Sequence, residues 1–129
     1  MRPLRAHAPH ELRTDLLERA RAAAPREACG LLLGRRTPDG IELESLAELP
    51  NRARTADAFE LEPLDVLAAE RAALASGREV VGAWHSHVDA PAVPSVRDLA
   101  GAGYGLSLVI SLRANELRAW QGAVELELA

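Results

Sequence analysis

The stretch ACGLLLGR, residues 28–35, sets the frame for everything else in the chain. It is a continuous apolar run without alternating polar positions, which reads as a buried strand. A strand buried on both faces needs neighbours at its edges and cover above and below, because its backbone polar groups and side chains have no access to water. The flanking sequence offers both. TPDG (37–40) has Pro and Gly where a turn wants them, and Ile41, Leu43, Ala47 and Leu49 then recur at even spacing, as in a partnering strand. PHELRTDLLERARAAA (9–24) places Leu12, Leu16, Ala20 and Ala23 on one helical face, with Pro9 at its start and Pro25 closing it.

The remainder continues this pattern. PNRARTAD (50–57) is a polar loop and FELEP (59–63) a brief extended piece. PLDVLAAERAALASG (63–77) is a second helix, opened by Pro63 and ended by Gly77. REVVGAWHSH (78–87) is a strand with Val80 and Val81 inside, SVRDLAGAG (95–103) a short helix, and LSLVISL (106–112) another strand. RAN (113–115) is a tight connection, and ELRAWQGAVELEL (116–128) supplies one or two more strands. The order predicts an α/β fold: one domain over residues 1–129, with a mixed β-sheet flanked by helices.

Composition narrows the function classes. Aromatic residues are only 3%, so the core is mostly Leu, Val and Ala. The net charge of −4 with no basic tract argues against nucleic acid as a partner. No apolar run approaches the roughly 20 residues that cross a membrane, and MRPLRAHAPH lacks the apolar centre of a signal peptide, so a cytoplasmic location is expected. Cys29 is the single cysteine, which excludes an internal disulfide and a cysteine-based zinc cluster. All fifteen basic residues are arginine, so no lysine is available for modification.

The chemistry concentrates in WHSHVDAPAVPSVRD (84–98). His85 and His87 alternate on a strand and point the same way, so they can share one metal ion. Imidazole suits zinc, and catalytic zinc sites combine three protein ligands with a water. Two carboxylates compete for the third place. Asp89 continues the alternation as His-x-His-x-Asp, similar to the opening of the metallo-β-lactamase motif, but the histidine that follows in that motif is Ala90 here. Asp98 belongs to Ser95-x-x-Asp98, a capping box at a helix start. Capping leaves the Ser95 hydroxyl proton free to donate, and leaves one of Asp98's two oxygens for a metal. The turn-forming Ala90 and Pro91 beside Asp89 favour Asp98.

The full constellation is His85-Ser86-His87, seven residues, Ser95, two residues, Asp98. It resembles the signature of the JAMM (MPN-plus) metalloproteases, with matching spacing throughout. PREACGLLLGR supplies Glu27 where that family has a glutamate before an apolar strand, and NRA and FELEP resemble its small bacterial members. The resemblance runs from about residue 10 to residue 112 and is strongest to members that cleave adducts of ubiquitin-like sulfur carriers.

It implies a JAMM/MPN fold with a cytidine-deaminase-like core, and one Zn²⁺ per chain held by His85, His87 and Asp98. Glu27 would take a proton from the zinc-activated water and pass it to the leaving amine, and Ser95 would stabilise the developing oxyanion. The implied partner is a ubiquitin-like or sulfur-carrier protein ending in Gly-Gly, and the chain is compatible with a homodimer. Val88 stands where the family has proline, which puts the rigidity of the loop in question.

Two alternatives accompany this reading: a non-catalytic MPN-type binding module, whose members have lost the ligands, and a hydrolase built on the His85-x-His87-x-Asp89 triad. A zinc nucleoside deaminase needs two cysteine ligands and is excluded by the single cysteine. Apart from the resemblance, Glu27 reads as a surface residue at a helix end. Cys29 and Trp84 read as packing residues, and His7 and His10 as solvated. Arg35, Arg36, Arg52 and Arg54 read as surface charges able to steer an acidic partner.

Overall fold

The structure, a computed structural model, describes residues 5–100 and 105–129. The elements in order are β1 (Arg5–His7), α1 (His10–Ala23), β2 (Cys29–Thr37), β3 (Gly40–Leu49), α2 (Pro63–Ala75), β4 (Glu79–His87), α3 (Val96–Ala100), β5 (Leu106–Ser111), β6 (Glu116–Gln121) and β7 (Val124–Leu128). The expected mixed sheet is present, and it closes on itself in the order β1-β3-β2-β4-β5-β6-β7. Its parallel pairs are β1 with β3, β1 with β7, and β4 with β5; the other neighbours are antiparallel.

The closing strand β1 has no strand signature in the sequence. It is three residues long, with Ala6 buried between exposed Arg5 and His7, too short for any period to show. It bridges β3 and β7, and so removes the two open edges the sheet would otherwise present. FELEP, expected to be extended, forms no strand; it runs as loop into the N-terminus of α2. The last part of the helix expected over 95–103 lies outside the described residues.

The buried run behaves as its pattern demands. Cys29, Gly30, Leu31, Leu32, Leu33 and Gly34 are all buried, between β3 on one side and β4 on the other. On β3 the even spacing holds only to Leu43. The register with β2 slips between Leu33 and Gly34, so Glu44 is an extra residue, and beyond this bulge Leu46 joins the core in place of its odd-numbered neighbours. On β4 Val81 is fully buried, whereas Val80 is only half-buried, next to a second slip that leaves Val81 unopposed. At Gly30 an added Cβ would lie 1.9 Å from the Ala47 carbonyl oxygen and 2.8 Å from Trp84 Nε1. The missing side chain therefore makes room for the indole of Trp84, itself fully buried.

The two helices are unequal partners. α1 buries Leu12, Leu16 and Ala20 in the main core with Leu32, Val81, Trp84, Leu108 and Ile110. α2 buries only Val66 and Ala73 and leaves Leu64 and Leu74 about seven-tenths exposed. Pro63 opens α2 and Gly77 follows it at φ +75°, as the sequence predicts, and Glu62 caps it by accepting from the amides of Leu64 and Asp65, which the sequence did not mark. No helix among the described residues is long and apolar enough to cross a membrane.

Candidate metal centre

β4 ends at His87, so alternation carries His85 and His87 to one face and stops before Asp89. The chain then bends through residues 88–94 and starts α3. Ser95 caps that helix: its Oγ accepts from the Asp98 amide at 3.0 Å, and the Ser95 amide donates to Asp98 Oδ2 at 2.8 Å. This is the capping box read from the sequence, and it fixes the Asp98 carboxylate. The same Oδ2 lies 3.0 Å from both His85 Nε2 and His87 Nε2. Capping and histidine contact thus fall on one oxygen, not on separate ones as the sequence suggests.

Glu27 arrives from the residue pair before β2. The Ala28 amide donates to Ser86 Oγ at 2.8 Å, and the Ser86 amide donates to the Ala28 carbonyl at 2.9 Å, which extends the β2–β4 pairing up to Glu27. The residue that reads from sequence alone as surface is 6% exposed. Glu27, His85, His87 and Asp98 form a group whose ligand atoms all lie within 4.8 Å of one another. Asp89 is exposed and outside this group, so the described structure does not assemble the His-x-His-x-Asp arrangement.

The donor set fits a cation. His87 Nδ1 is 2.9 Å from the Pro91 carbonyl, which can only accept, so Nδ1 carries the proton and a neutral ring turns a lone pair inward from Nε2. The two Nε2 atoms are 3.1 Å apart, each 3.0 Å from Asp98 Oδ2. One shared proton can bridge only one side of this triangle; one cation satisfies all three. Ligand atoms about 2.0–2.1 Å from a tetrahedral zinc are roughly 3.3 Å apart, close to the spacing seen. Glu27 Oε1 is buried with no hydrogen-bond partner among the described residues, an acceptor left for a ligand of the site.

The titration of the cluster follows from its burial. Burial raises the Glu27 carboxyl to about 7, against the pull of His87. Burial also works to raise Asp98, but hydrogen bonds from His85 and His87 overcome it and hold the group well below the usual carboxylate range. Burial lowers His85, opposed by Asp98. It would lower His87 too, yet the bonds to Asp98 and Pro91 leave that ring raised. Cys29 is pushed up by burial to about 12, which makes it inert at neutral pH, in keeping with a packing role.

A cavity of about 550 Å³ opens beside the cluster. His85 and Asp98 line it, and Phe59, Leu61, Val66 and Leu67 supply apolar walls. Phe59 stacks on the His85 ring, centroids 4.4 Å apart and planes 20° from parallel.

The loop after His87 is held although Val88 replaces proline. Ser111 Oγ donates to the Ala90 carbonyl at 2.7 Å, Trp120 Nε1 donates to the Ala92 carbonyl at 2.9 Å, and Ala92 is fully buried. Together with the His87–Pro91 bond, these contacts fix three consecutive carbonyl-bearing stretches of the loop. FELEP was marked only as a point of resemblance, and Ser111 and Trp120 not at all, because Phe59, Ser111 and Trp120 each act on a residue far away in the chain.

The sequence profile of the prokaryotic homologs of the JAB domain matches residues 9–122. The chain belongs to the prokaryotic JAB-domain family. Its fold and its Glu/His/His/Asp cluster are those of a JAB (JAMM) domain. The chain is 37% identical over 100 residues to the "Probable TtuB-protein conjugate cleaving protease" of Thermus thermophilus, a match covering 74% of this chain and 64% of that protein. It is 32% identical to the desampylase of Pyrococcus furiosus, over 73% of this chain and 65% of that protein. This JAB chain thus spans just under two-thirds of the length of both relatives. Among solved structures, protein DSY2949 of Desulfitobacterium hafniense superposes with a TM-score of 0.81 at 30% identity, covering 96% of this chain and 91% of that one.

Proposed function

We propose that the chain is a zinc-dependent isopeptidase or peptidase, one JAB domain over residues 1–129, that hydrolyses the bond after the C-terminal Gly-Gly of a ubiquitin-like or sulfur-carrier protein. The observation that carries this reading is the buried cluster itself: three ligand atoms in a triangle with an unpartnered carboxylate beside them. The relative named for cleaving TtuB-protein conjugates supports the substrate class.

In this reading His85, His87 and Asp98 hold one Zn²⁺ per chain. The ion supplies Lewis acidity and brings the pKa of a water toward neutrality. Glu27 takes the proton from the attacking water and delivers it to the leaving amine. Burial favours the protonated form of the Glu27 carboxyl, so it holds a proton more readily than an exposed glutamate does. The Ser95 Oγ is used by the cap only as an acceptor, so its proton donates to the oxyanion that develops at the scissile carbonyl. Phe59 and the α2 residues Val66 and Leu67 wall the cavity through which the substrate tail reaches the cluster. Glycine suits the last positions of that tail because the main chain must approach the cluster closely.

The direct test is mass spectrometry of Gly-Gly-ended carriers, bearing an added residue or a linked amine, incubated with wild type and with Glu27→Gln. Release of the free Gly-Gly carrier by wild type and not by the variant is expected. Failure of purified protein to bind zinc stoichiometrically would sink the proposal and leave the binding-module alternative.

A further inference from the structure

Glu27 is aimed by its main chain. Its Oε1 meets no hydrogen-bond partner among the described residues, so direction must come from the backbone that carries it. Ser86 fixes the Ala28 side through two bonds. The Glu27 carbonyl is fixed by Asn51, whose Nδ2 donates to it at 2.9 Å.

The rest of that amide grips one loop. Nδ2 donates also to the Ala58 carbonyl at 2.9 Å, and Oδ1 accepts from the amides of Ala53 at 2.9 Å and Glu60 at 3.1 Å. Two donors and two acceptor sites are all in use. The loop is closed by the Arg52 amide on the Glu60 carbonyl at 3.0 Å, and the Arg26 guanidinium reaches the Ala53 carbonyl at 2.6 Å. Its far end carries Phe59, stacked on His85.

We propose that Asn51 is a positioning residue: its side-chain amide locks the Glu27 main chain to the 51–60 loop, so that Glu27 and the Phe59 wall are held as one unit against the histidine cluster. The catalytic consequence rests on the function proposed above; the lock itself does not. None of Asn51's side-chain hydrogen bonds goes to His85, His87 or Asp98, so it reaches the ligand triangle only through the Phe59 stack on His85.

Asn51→Asp separates the two halves of the amide. It keeps the shape and both accepting bonds but turns an oxygen toward the Glu27 and Ala58 carbonyls. In the full chain loaded with zinc, kcat on a Gly-Gly conjugate should fall at least about tenfold, with KM changed much less and zinc stoichiometry unchanged. Two readouts need no substrate: hydrogen exchange at the Ala28 amide and trypsin cleavage after Arg52 and Arg54 should both quicken. If Asn51→Asp does not fold, Asn51→Ser, which is too short to reach both sides, is measured where its circular dichroism is native.

Unchanged exchange and cleavage would overturn the lock, as would a fall in kcat without them. Faster exchange and faster trypsin cleavage, with kcat held at the wild-type level, would overturn the positioning role. If wild type cleaves no Gly-Gly conjugate while the variant still frees Ala28 and the loop, the lock stands and the proposed function falls.

Discussion

His85, His87 and Asp98 reach one point from a strand end and a helix start that adjoin in sequence, whereas Glu27 reaches it from another strand altogether. The two sides are held differently. The ligand side is fixed by bonds to its own side chains: the Pro91 carbonyl on His87 and the Ser95 amide on Asp98. The Glu27 side is fixed through carbonyls and amides, with the carboxylate Oε1 left without a hydrogen-bond partner among the described residues. Ligands need fixed atoms, because a metal tolerates little error in distance. The proton-carrying role proposed for Glu27 needs an acceptor free to meet a water, so its anchoring would have to sit one bond further back.

The largest effect should separate the two aspartates. Asp98→Ala removes a corner of the triangle and should abolish zinc binding and cleavage, while Asp89→Ala should leave both unchanged; metal analysis of the purified variants measures it. If Asp89→Ala were the one to lose zinc, the ligand side would be misassigned.

Glu27→Gln probes the other side. It should keep zinc and lose on the order of 10²–10⁴ in rate. It should also change how stability depends on pH once zinc is chelated. The folded-state pKa near 7 lies above the ordinary 4.5, so between these values the folded chain keeps a proton that the unfolded chain releases. The Glu27 contribution to stability therefore falls as pH rises from about 4.5 to about 7. Urea titrations across that window should show the slope in wild type and a flatter profile in the variant.

Ser95 sits on the ligand side with two roles, helix cap and proposed oxyanion donor, and two substitutions pull them apart. Ser95→Ala should cost about 0.5–2 kcal/mol through the lost cap and roughly 10²–10³ in rate through the lost donor. Ser95→Asn restores a capping acceptor without a hydroxyl, so the melting temperature should recover more than kcat does.

The smallest effect concerns the loop in which Val88 stands where the family has proline. Ser111→Ala removes two bonds, one donated to the Ala90 carbonyl and one accepted from the Ala114 amide, each worth about 1 kcal/mol, and should weaken zinc by no more than about tenfold in a competition titration. Loss of zinc altogether would mean that this clamp, and not the triangle, sets the affinity.

Much of this was readable from residue order, for reasons particular to each element. The buried strand 28–35, the helix faces of Leu12, Leu16 and Ala20, and the cap at Ser95 all depend on neighbours within a few residues. Glu27 was legible only by family resemblance, since nothing nearby in sequence distinguishes it from a surface glutamate. β1 has too few residues to carry a pattern, and the bulge at Glu44, which exchanges the faces of β3, depends on pairing with β2.

The sequence by itself determined the local terms: which strand is buried, that two imidazoles share a face, and that Ser95 and Asp98 begin a helix. Those follow from backbone periodicity and capping, which act over a turn or a strand. Residue order already favoured Asp98 over Asp89; only the tertiary structure decided that Glu27 is buried beside the histidines, and that Asn51, Phe59, Ser111 and Trp120 pack or hydrogen-bond around the site. Those depend on strand pairing and loop return between residues far apart in the chain, where spacing carries no information about distance.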